Sequence, residues 1–415
     1  MSKFYILLVY RCMCIQSSYH VDTQNPVAKI TATTKQNTIT INASGSSDSE
    51  SGIKNYQYSR DNKTWYTSTA NTYTFTGLAD GSYTIYVKVT DNAGRTATTS
   101  TTVTVAYTTV YVSATGNNST ANGSYNNPFS SLQTAYENVQ NNGYIVLLSN
   151  LTMNYTADFY IQNKSVVLKS ADNAIYSLIR DANSPNRTLL KIENQSTASL
   201  TNIILDGKNI SSSESLLTIA TNATVYLNEK ATIQNALGTN DLGGIVINQA
   251  TLNINGALIK NNTAQYSGSA IRSYRATVNL NSGSIEYNKT TNSTRGGDGA
   301  IYMWGGTFTM SDGSISNNSS AYSGGAFFIS CDTYEQSITI NGGSIINNYA
   351  YQSNGGAGGG LYVDCYTSGQ ASLKITSGTI TGNSRYGVVY HGSKVTYSKT
   401  GENVASNTPD NILRW

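Results

Sequence analysis

Carboxylates that could take part in acid–base chemistry are scarce in this sequence. Asp332 and Asp364 lie at nearly equivalent positions of two successive repeats, so their carboxyl groups could approach each other as a pair. Two carboxylates flanking a glycosidic bond are what hydrolysis of that bond requires. A solvated surface pair explains the same spacing more simply, so we predict no catalytic residue. His391, one of 2 histidines, is expected at a surface or an edge.

Aromatic side chains recur at fixed places in the same repeats. Alignment of the repeats gives one outward column of Arg272, Tyr302, Phe328 and Val363, and a second of Tyr274, Trp304, Ser330 and Cys365. The opposite parity, which predicts the core, holds Ile271, Ile301, Phe327 and Tyr362. The outward columns predict a binding patch, suited to stacking on sugar rings, made of Tyr274, Tyr302, Trp304 and Phe328. A structural ladder of rings without any ligand accounts for the same columns, and both interpretations stay open.

The 4 cysteines do not predict a metal site. Cys12 and Cys14 have no second pair at zinc-binding spacing. Cys331 and Cys365 fall in neighbouring repeats but about one residue out of register, which would turn their side chains to opposite faces of a sheet. We therefore expect free buried thiols, with a disulfide bond as the alternative. No metal and no cofactor are predicted.

The elements that must position these side chains come from a repeat. Each copy has an isoleucine followed three residues later by an asparagine: Ile259 and Asn262, Ile285 and Asn288, Ile315 and Asn318, Ile345 and Asn348, and Ile380 and Asn383. Ile233 with Asn235 is interpreted as a degenerate earlier copy. The isoleucines are 26, 30, 30 and 35 residues apart, and apolar residues alternate before them, which is typical of a β-solenoid. We expect each asparagine to adopt the left-handed conformation at a turn and to hydrogen-bond the neighbouring copies.

Residues 22–106 predict a separate β-sandwich. Apolar and polar residues alternate over 38–42 and 83–89, and turn residues separate about seven short strands. Leu78, Gly81 and Tyr83, followed by Thr84 to Gly94, resemble the immunoglobulin-like repeats of bacterial cell-surface proteins and the fibronectin type III module. The resemblance implies a spacer domain. Residues 1–21 hold a short apolar run that resembles a weak export signal or the start of a truncated chain.

The opening of residues 107–415 contains Tyr111-Val112-Ser113-Ala114-Thr115-Gly116, then Asn127-Pro128-Phe129 and Leu132-Gln133-Thr134-Ala135. This stretch resembles the start of right-handed parallel β-helix proteins of the pectin-lyase-like class, which implies a first strand and a short capping helix within 131–140. Gly299-Ala300-Ile301-Tyr302 and Gly324-Gly325-Ala326-Phe327, beside Gly-Ser-Ile-x-x-Asn, resemble the repeats of autotransporter and polymorphic outer-membrane adhesins. Enzymes with this scaffold cleave acidic polysaccharides, and the signatures of polygalacturonases and pectate lyases are missing from this sequence.

Composition and charge exclude other partners. Only 12% of residues are charged, the net charge is +3 and no basic run occurs, so nucleic acid is not an expected partner. No apolar run reaches the ~18 residues of a membrane span.

The sequence therefore predicts an all-β, exported bacterial protein with an immunoglobulin-like sandwich followed by a right-handed single-stranded parallel β-helix. Its expected function is that of a cell-surface or secreted adhesin that binds an extracellular glycan or a host-surface ligand. A polysaccharide lyase or glycoside hydrolase with an atypical site is the first alternative, and a phage receptor-binding fibre is the second.

Overall fold

The computed structural model describes residues 21–35, 38–76, 78, 81–105, 109–154, 157–171, 173–293, 299–331, 333–351, 358–365, 369–392, 394–400 and 404–414. Contacts between Cα atoms divide the chain into two compact units, residues 1–106 and 107–415. Each unit has its own hydrophobic core. No helix among the described residues is long and apolar enough to cross a membrane.

The first unit consists of strands in two antiparallel sheets. The strands are β1 (Thr31–Lys35), β2 (Thr38–Asn42), β3 (Ile53–Ser59), β4 (Tyr66–Ser68), β5 (Thr72–Phe75), β6 (Gly81–Asp91) and β7 (Thr96–Val105). One sheet has the order β1-β2-β5 and the other β4-β3-β6-β7. Alternate residues of β2 and β6, such as Ile39, Ile41, Ile85 and Val87, are fully buried, because one face of each sheet packs on the core. The predicted β-sandwich is confirmed.

The second unit begins with a strand and the single helix of the described residues. The helix α1 (Leu132–Asn138) follows strand β8 (Thr109–Val112), and the side chain of Ser131 accepts a hydrogen bond from the backbone N–H of Thr134 at 3.2 Å. A serine at this position satisfies an N–H that the first turn of a helix leaves unpaired. Leu132 and Ala135 are fully buried against the first coil. The predicted helix is therefore confirmed.

The remaining strands are short and follow one another along the chain. They are β9 (Gly143–Leu147), β10 (Leu151–Met153), β11 (Tyr160–Gln162), β12 (Val166–Ser170), β13 (Tyr176–Arg180), β14 (Leu190–Glu193), β15 (Thr197–Thr201), β16 (Ile203–Asp206), β17 (Ser211–Ser212), β18 (Leu217–Ala220), β19 (Thr224–Leu227), β20 (Thr232–Gln234), β21 (Leu237–Gly238), β22 (Ile245–Asn248), β23 (Thr251–Lys260), β24 (Thr263–Ala264), β25 (Ile271–Glu286), β26 (Lys289–Thr290), β27 (Ile301–Met310), β28 (Ser314–Ser316), β29 (Ser319–Ser320), β30 (Phe327–Ser330), β31 (Gln336–Ile340), β32 (Ser344–Ile346), β33 (Tyr349–Ala350), β34 (Leu361–Asp364), β35 (Ala371–Ile375), β36 (Thr379–Thr381), β37 (Ser384–His391), β38 (Val395–Lys399), β39 (Val404–Ala405) and β40 (Thr408–Arg414).

These strands form three parallel stacks, and each coil of the chain contributes one segment to each stack. Stack 1 contains β9, β12, β15, β19, parts of β23, β25 and β27, then β31, β35 and β38. Stack 2 contains β10, β13, β16, β20, the ends of β23 and β25, then β28, β32, β36 and β39. Stack 3 contains β11, β14, β18, β22, the starts of β25 and β27, then β30, β34, β37 and β40. The two-residue strands β17, β21, β24, β26, β29 and β33 form a narrow sheet between stacks 2 and 3. The predicted parallel β-solenoid is confirmed.

The repeated isoleucines form one column of the solenoid core. Ile233 and Ile259 pair in register, and Ile285, Ile315, Ile345 and Ile380 continue the column, all with 0% exposure. Burying an aliphatic side chain stabilises a fold by about 1.5–3 kcal/mol, so a column of this kind fixes the register of stack 2.

A buried ladder of asparagines lies where stack 2 turns into the narrow sheet. The asparagine ladder contains Asn262, Asn288, Asn318, Asn348, Asn383 and Asn407. The Nδ2 atom of each donates to the Oδ1 atom of the next at 2.9–3.0 Å. The same nitrogen also donates to an isoleucine carbonyl one coil back, as Asn318 does to Ile285 at 2.9 Å. The predicted hydrogen bonding between copies is confirmed.

The expected backbone conformation of these asparagines is wrong. The left-handed residue is the one before each asparagine, with φ of 52–67° at Asn261, Tyr287, Asn317, Asn347, Gly382 and Ser406. That residue reverses the chain direction, and the following asparagine then points its amide inward. Asn235 has φ 58° and corresponds to Asn261. Ala236 therefore occupies the ladder position in the earlier copy, and its N–H donates to Oδ1 of Asn262 at 3.0 Å.

Candidate functional site

A row of stacked rings crosses the outer face of stack 3. Tyr302, Phe328 and Tyr362 are paired in register on successive coils, and we call them the aromatic ladder. The ring centroids of Tyr302 and Phe328 are 5.9 Å apart with planes at 7°, and those of Phe328 and Tyr362 are 5.3 Å apart at 22°. The guanidinium carbon of Arg272, the preceding residue in register, lies 5.1 Å from the Tyr302 centroid.

The aromatic ladder becomes more buried toward the C-terminus. Tyr302 is half-buried, whereas Phe328 is 7% exposed and Tyr362 8% exposed, because both pack with Val389 in a small second core. Burial, assisted by the carboxylate of Asp364, raises the pKa of Tyr362 to about 12. Phe328 was predicted as an outward binding residue, and it is covered. Only Tyr302 of this ladder offers a partly open ring.

A second group of rings lies where stack 3 turns into stack 1. Tyr274, Trp304 and Tyr334 are all half-buried, and we call them the aromatic cluster. Tyr274 and Trp304 meet edge to face with centroids 5.8 Å apart, and Trp304 and Tyr334 do so at 5.3 Å. The guanidinium carbon of Arg275 lies 4.8 Å from the Tyr334 centroid. Three rings and a cation therefore share one edge of the solenoid.

Gly305 gives the aromatic cluster its close packing. Its φ is 80°, and a Cβ atom there would lie 2.8 Å from Cβ of Tyr334 and 3.1 Å from Cγ of Arg275. Any larger residue at position 305 would be too close to both neighbouring side chains. Its own backbone would also be in an unfavourable conformation, because φ is positive. The Arg275–Tyr334 contact therefore depends on glycine at the turn.

Polar contacts fix Arg272, the cation at the start of the ladder. Its Nη1 atom lies 2.8 Å from Oδ2 of Asp241 and donates to Oγ of Ser267 at 2.8 Å. Its Nε atom donates to the hydroxyl of Tyr274. A guanidinium held this way keeps its planar face over Tyr302, where it can pair with the ring electrons. Of the predicted residues, Tyr274, Tyr302 and Trp304 therefore share one semi-open surface, to which Tyr334 is added.

Tyr334 is not indicated by the sequence pattern, because it lies outside the aligned columns. It stands in the segment that joins β30 to β31, where coil lengths differ. Gly305, in the preceding coil, could have indicated Tyr334. A glycine at a turn often marks a place where another side chain approaches the backbone closely.

Of the two carboxylates predicted as a pair, the structure describes Asp364. Asp332 lies outside the described residues. Asp364 pairs in register with Ser330 on one side and His391 on the other, and its Oδ1 atom lies 3.5 Å from Nδ1 of His391. His391 therefore lies beside Asp364 on the outer face of stack 3, where the two form an ion pair when the imidazole is protonated.

The predicted register between β30 and β34 is wrong by one residue. Phe328 lies opposite Tyr362, not Val363, and Ser330 lies opposite Asp364, not Cys365. Leu361 takes the core position that was predicted for Tyr362. The glycine run before β34 offers no apolar side chain to anchor an alignment, so the sequence allowed a one-residue slip.

The corrected register brings the two cysteines together. Cys331 and Cys365 are 0% and 2% exposed, their Cα atoms are 4.9 Å apart, and they form a disulfide bond. This separation lies in the usual range for a bridged pair. The expectation of free thiols is therefore wrong, and its cause is the same one-residue slip.

A second carboxylate group lies at the turns before stack 3. Burial, and next the carboxylate of Asp158, raise the pKa of Glu214. Asp158 accepts from the backbone N–H of Thr188 at 3.2 Å, and the Thr188 hydroxyl donates to Glu214 at 3.5 Å. Beneath them the buried Arg180 donates through Nη2 to the carbonyls of Glu214 and Ser215 at 2.8 and 2.9 Å. The sequence pattern does not indicate this group, because its members come from coils that precede the clear repeat.

Three carboxylates meet in the first unit. Oxygen atoms of Asp22, Asp48 and Asp91 lie within 4.8 Å of one another. A hydrogen bond from the Ser51 hydroxyl is the largest cause that lowers the pKa of Asp22, and Arg95 lies 3.9 Å from the same carboxylate. Oxygen donors in such a group suit a divalent cation such as Ca²⁺. The three residues come from separate turns, so their spacing gave no metal motif, and the absence of a metal stays a prediction.

Comparison with known proteins bears mainly on the first unit. Residues 28–105 match a family model that describes a PKD domain. The chain is similar to the PKD1 domain of Vibrio anguillarum Epp, with 25% identity, coverage of 20% of this chain and 96% of that one, and a TM-score of 0.19. It is similar to the PKD1 domain of the Vibrio cholerae metalloprotease PrtV, with 29% identity, coverage of 20% and 98%, and a TM-score of 0.18.

One further similarity spans the solenoid. The Family 28 exopolygalacturonase of Yersinia enterocolitica aligns with 9% identity over 94% of this chain and 99% of that one, with a TM-score of 0.32. A search of curated protein sequences gave no match. The chain thus combines a PKD/Ig-like β-sandwich, matched by its family model, with a parallel β-solenoid, defined by its strand register.

Proposed function

We propose that this chain is a secreted or cell-surface protein that binds a glycan through the aromatic cluster, and that it has no catalytic role. The observation that carries the proposal is the arrangement of Tyr274, Trp304 and Tyr334 with Arg275 on one edge of the solenoid. Tyrosine and tryptophan rings present an apolar face with a polar tip, which suits the faces and hydroxyl groups of sugars. Half-buried rings held edge to face lose little freedom on binding, which favours affinity.

The outer face of stack 1, beside this edge, has polar groups that suit a ligand with many hydroxyl groups. Eight successive coils carry a hydroxyl at one register position: Thr197, Thr224, Thr251, Thr277, Thr307, Ser337, Ser372 and Thr396. Two grooves of 570 and 400 Å³ run along this column, and Arg275 lines the first of them. Hydroxyls at the strand spacing of about 4.8 Å can donate to and accept from a chain of sugars. Arg275 therefore links the aromatic cluster to a polar surface.

An extracellular location is part of this proposal. The Cys331–Cys365 disulfide suits an oxidising compartment, because reducing systems in the cytosol keep thiols free. The small share of charged residues, 12%, agrees with solvent faces built from hydroxyls and amides.

Glycan binding is tested by replacing the rings one at a time. The whole chain and its Trp304→Ala and Tyr334→Ala variants are applied to a glycan array, and affinity for each positive glycan is then measured by calorimetry. Each substitution is expected to weaken binding at least about tenfold, or 1.4 kcal/mol, since central aromatic residues dominate binding energy. Tyr125→Ala is the matched control, because Tyr125 is a 62% exposed tyrosine on the first coil. Unchanged affinity in both ring variants, with melting temperatures preserved, would refute the proposal.

A polysaccharide hydrolase is the second candidate, and one observation favours it. Asp158 and Glu214 are linked through Thr188, and two carboxyl groups placed together are what glycoside hydrolysis uses. Reducing ends released from polygalacturonate or from uncharged polysaccharides would be measured for the unaltered chain and for Glu214→Gln. We expect no release from either protein. Release that disappears in Glu214→Gln would establish the hydrolase instead.

A further inference from the structure

The edge between stacks 2 and 3 carries two large side chains in a strained backbone conformation. Tyr287 has φ 55° and Arg385 has φ 67°. Both are bulky side chains in a region that such residues rarely adopt. The positions equivalent to Tyr287 in four other coils hold Asn261, Asn317, Asn347 and Gly382, which tolerate this conformation. Tyr287 is moreover 56% exposed, so the strain is not compensated by core packing.

Exposed tyrosines accompany them on the same edge. Tyr349 and Tyr351 are 45% and 59% exposed, and their rings meet edge to face with centroids 4.4 Å apart. Tyr349 pairs in register with Ser319 in the narrow sheet, one coil from the strand that follows Tyr287. Tyr287 therefore lies about 10 Å, or two strand spacings, along the solenoid from the residue before Asn348.

A cavity opens beside these tyrosines. It has a volume of 540 Å³ and is lined by Asn347, Asn348, Tyr349, Gly382, Asn383, Ser384 and Arg385. This volume is within the usual range for small-ligand sites. Among the described residues, no carboxylate forms an ion pair with the half-buried Arg385. Arg385 and Tyr349 thus line the same space.

We infer that this cavity binds a sugar residue bearing an anionic group, with a further aromatic subsite at Tyr287. The sugar ring stacks on Tyr349, and its carboxylate or sulfate accepts two hydrogen bonds from the planar guanidinium of Arg385. Strained residues persist where the surrounding structure fixes them for a function, which explains Tyr287 at a position that holds asparagine or glycine in other coils. The site shares no residue with the aromatic cluster and extends beyond the proposed function.

Binding is measured by biolayer interferometry with three immobilised probes: a heparin octasaccharide, an oligogalacturonate and an uncharged cello-oligosaccharide. The full chain is expected to bind one of the anionic probes and not the uncharged one. Arg385→Gln and Tyr349→Ala should each weaken that binding at least tenfold, whereas Tyr125→Ala should stay within twofold. Arg385→Lys keeps the positive charge but loses the planar guanidinium that donates two hydrogen bonds, so it should lose part of the affinity. This variant also tests the inference if Arg385→Gln fails to fold. The oligogalacturonate carries carboxylates and no sulfate, so its binding would assign a carboxylate, and binding of heparin alone would assign a sulfate.

The Tyr287→Asn variant separates a binding role from a structural one. Asparagine relieves the backbone strain, so the melting temperature should rise by a few degrees. Affinity for the anionic probe should fall at the same time. Absence of binding to both anionic probes, binding of the uncharged probe that Arg385→Gln weakens equally, or full affinity in the Arg385 and Tyr349 variants would overturn the inference.

Discussion

At the scale of single residues, the sites depend on a few side chains whose surroundings are unusual. Gly305 allows Arg275 and Tyr334 to meet, and no other residue fits there without moving one of them. Trp304 and Tyr274 gain their positions from a register that continues for several coils. The position of a single side chain in this fold therefore depends on the residues at the same register position in the coils on either side.

Glu214 makes the stability of the solenoid depend on pH. Burial and the neighbouring Asp158 raise its pKa above the ordinary value of 4.5, so the folded state holds this proton to higher pH than the unfolded chain. The folded state then binds more protons in that window, and stability falls as pH rises from 4.5 through the raised value. Glu214→Gln should increase the free energy of unfolding at pH 7 and change it little at pH 4.

Urea unfolding at the two pH values measures this difference. Glu229→Gln is the matched control, because Glu229 is exposed at a turn of the same region. An equal effect of Glu214→Gln at both pH values would contradict the assigned environment of Glu214.

At the scale of elements, the stacks explain what could be predicted from sequence. The spacing of isoleucine and asparagine along the sequence predicts their columns, because inward side chains of a solenoid recur once per coil. The turns are less regular, and there the predictions failed: the glycine run before β34 gave a one-residue slip that misplaced Tyr362, Val363 and Cys365. Tyr334 and the Asp158–Glu214 group were missed because they lie on connections whose length varies between coils.

The asparagine ladder is expected to carry a large share of the stability of its coils. Asn318→Ala removes the acceptor used by both the backbone N–H and the Nδ2 atom of Asn288, and the donor to Ile285. Buried polar groups that lose their partners cost about 1–3 kcal/mol each, so unfolding should become easier by about 3 kcal/mol. Asn281→Ala, in an exposed amide contact with Asn255 at 2.9 Å, should cost less than about 0.5 kcal/mol. Urea unfolding measures both changes in the free energy of unfolding. Equal losses of stability in the two variants would show that burial is not the reason for the cost of Asn318→Ala.

At the scale of the whole molecule, the solenoid repeats a different chemistry on each side. Stack 1 presents hydroxyls, stack 3 presents rings and cations, and the edge between stacks 2 and 3 combines an internal amide ladder with exposed tyrosines. The low share of charge follows from this arrangement, since the outward positions are filled by threonine, serine and asparagine. Repetition makes each surface long, and a long surface suits a polymeric ligand.

Glycan binding at the aromatic cluster can be followed by the fluorescence of Trp304. The chain has 3 tryptophans, so the double variant Trp65→Phe and Trp415→Phe leaves Trp304 as the single emitter. Titration with a glycan that binds on the array is expected to shift its emission saturably, with the dissociation constant found by calorimetry. A glycan that binds by calorimetry and leaves the emission of Trp304 unchanged would show that the aromatic cluster is not the binding site.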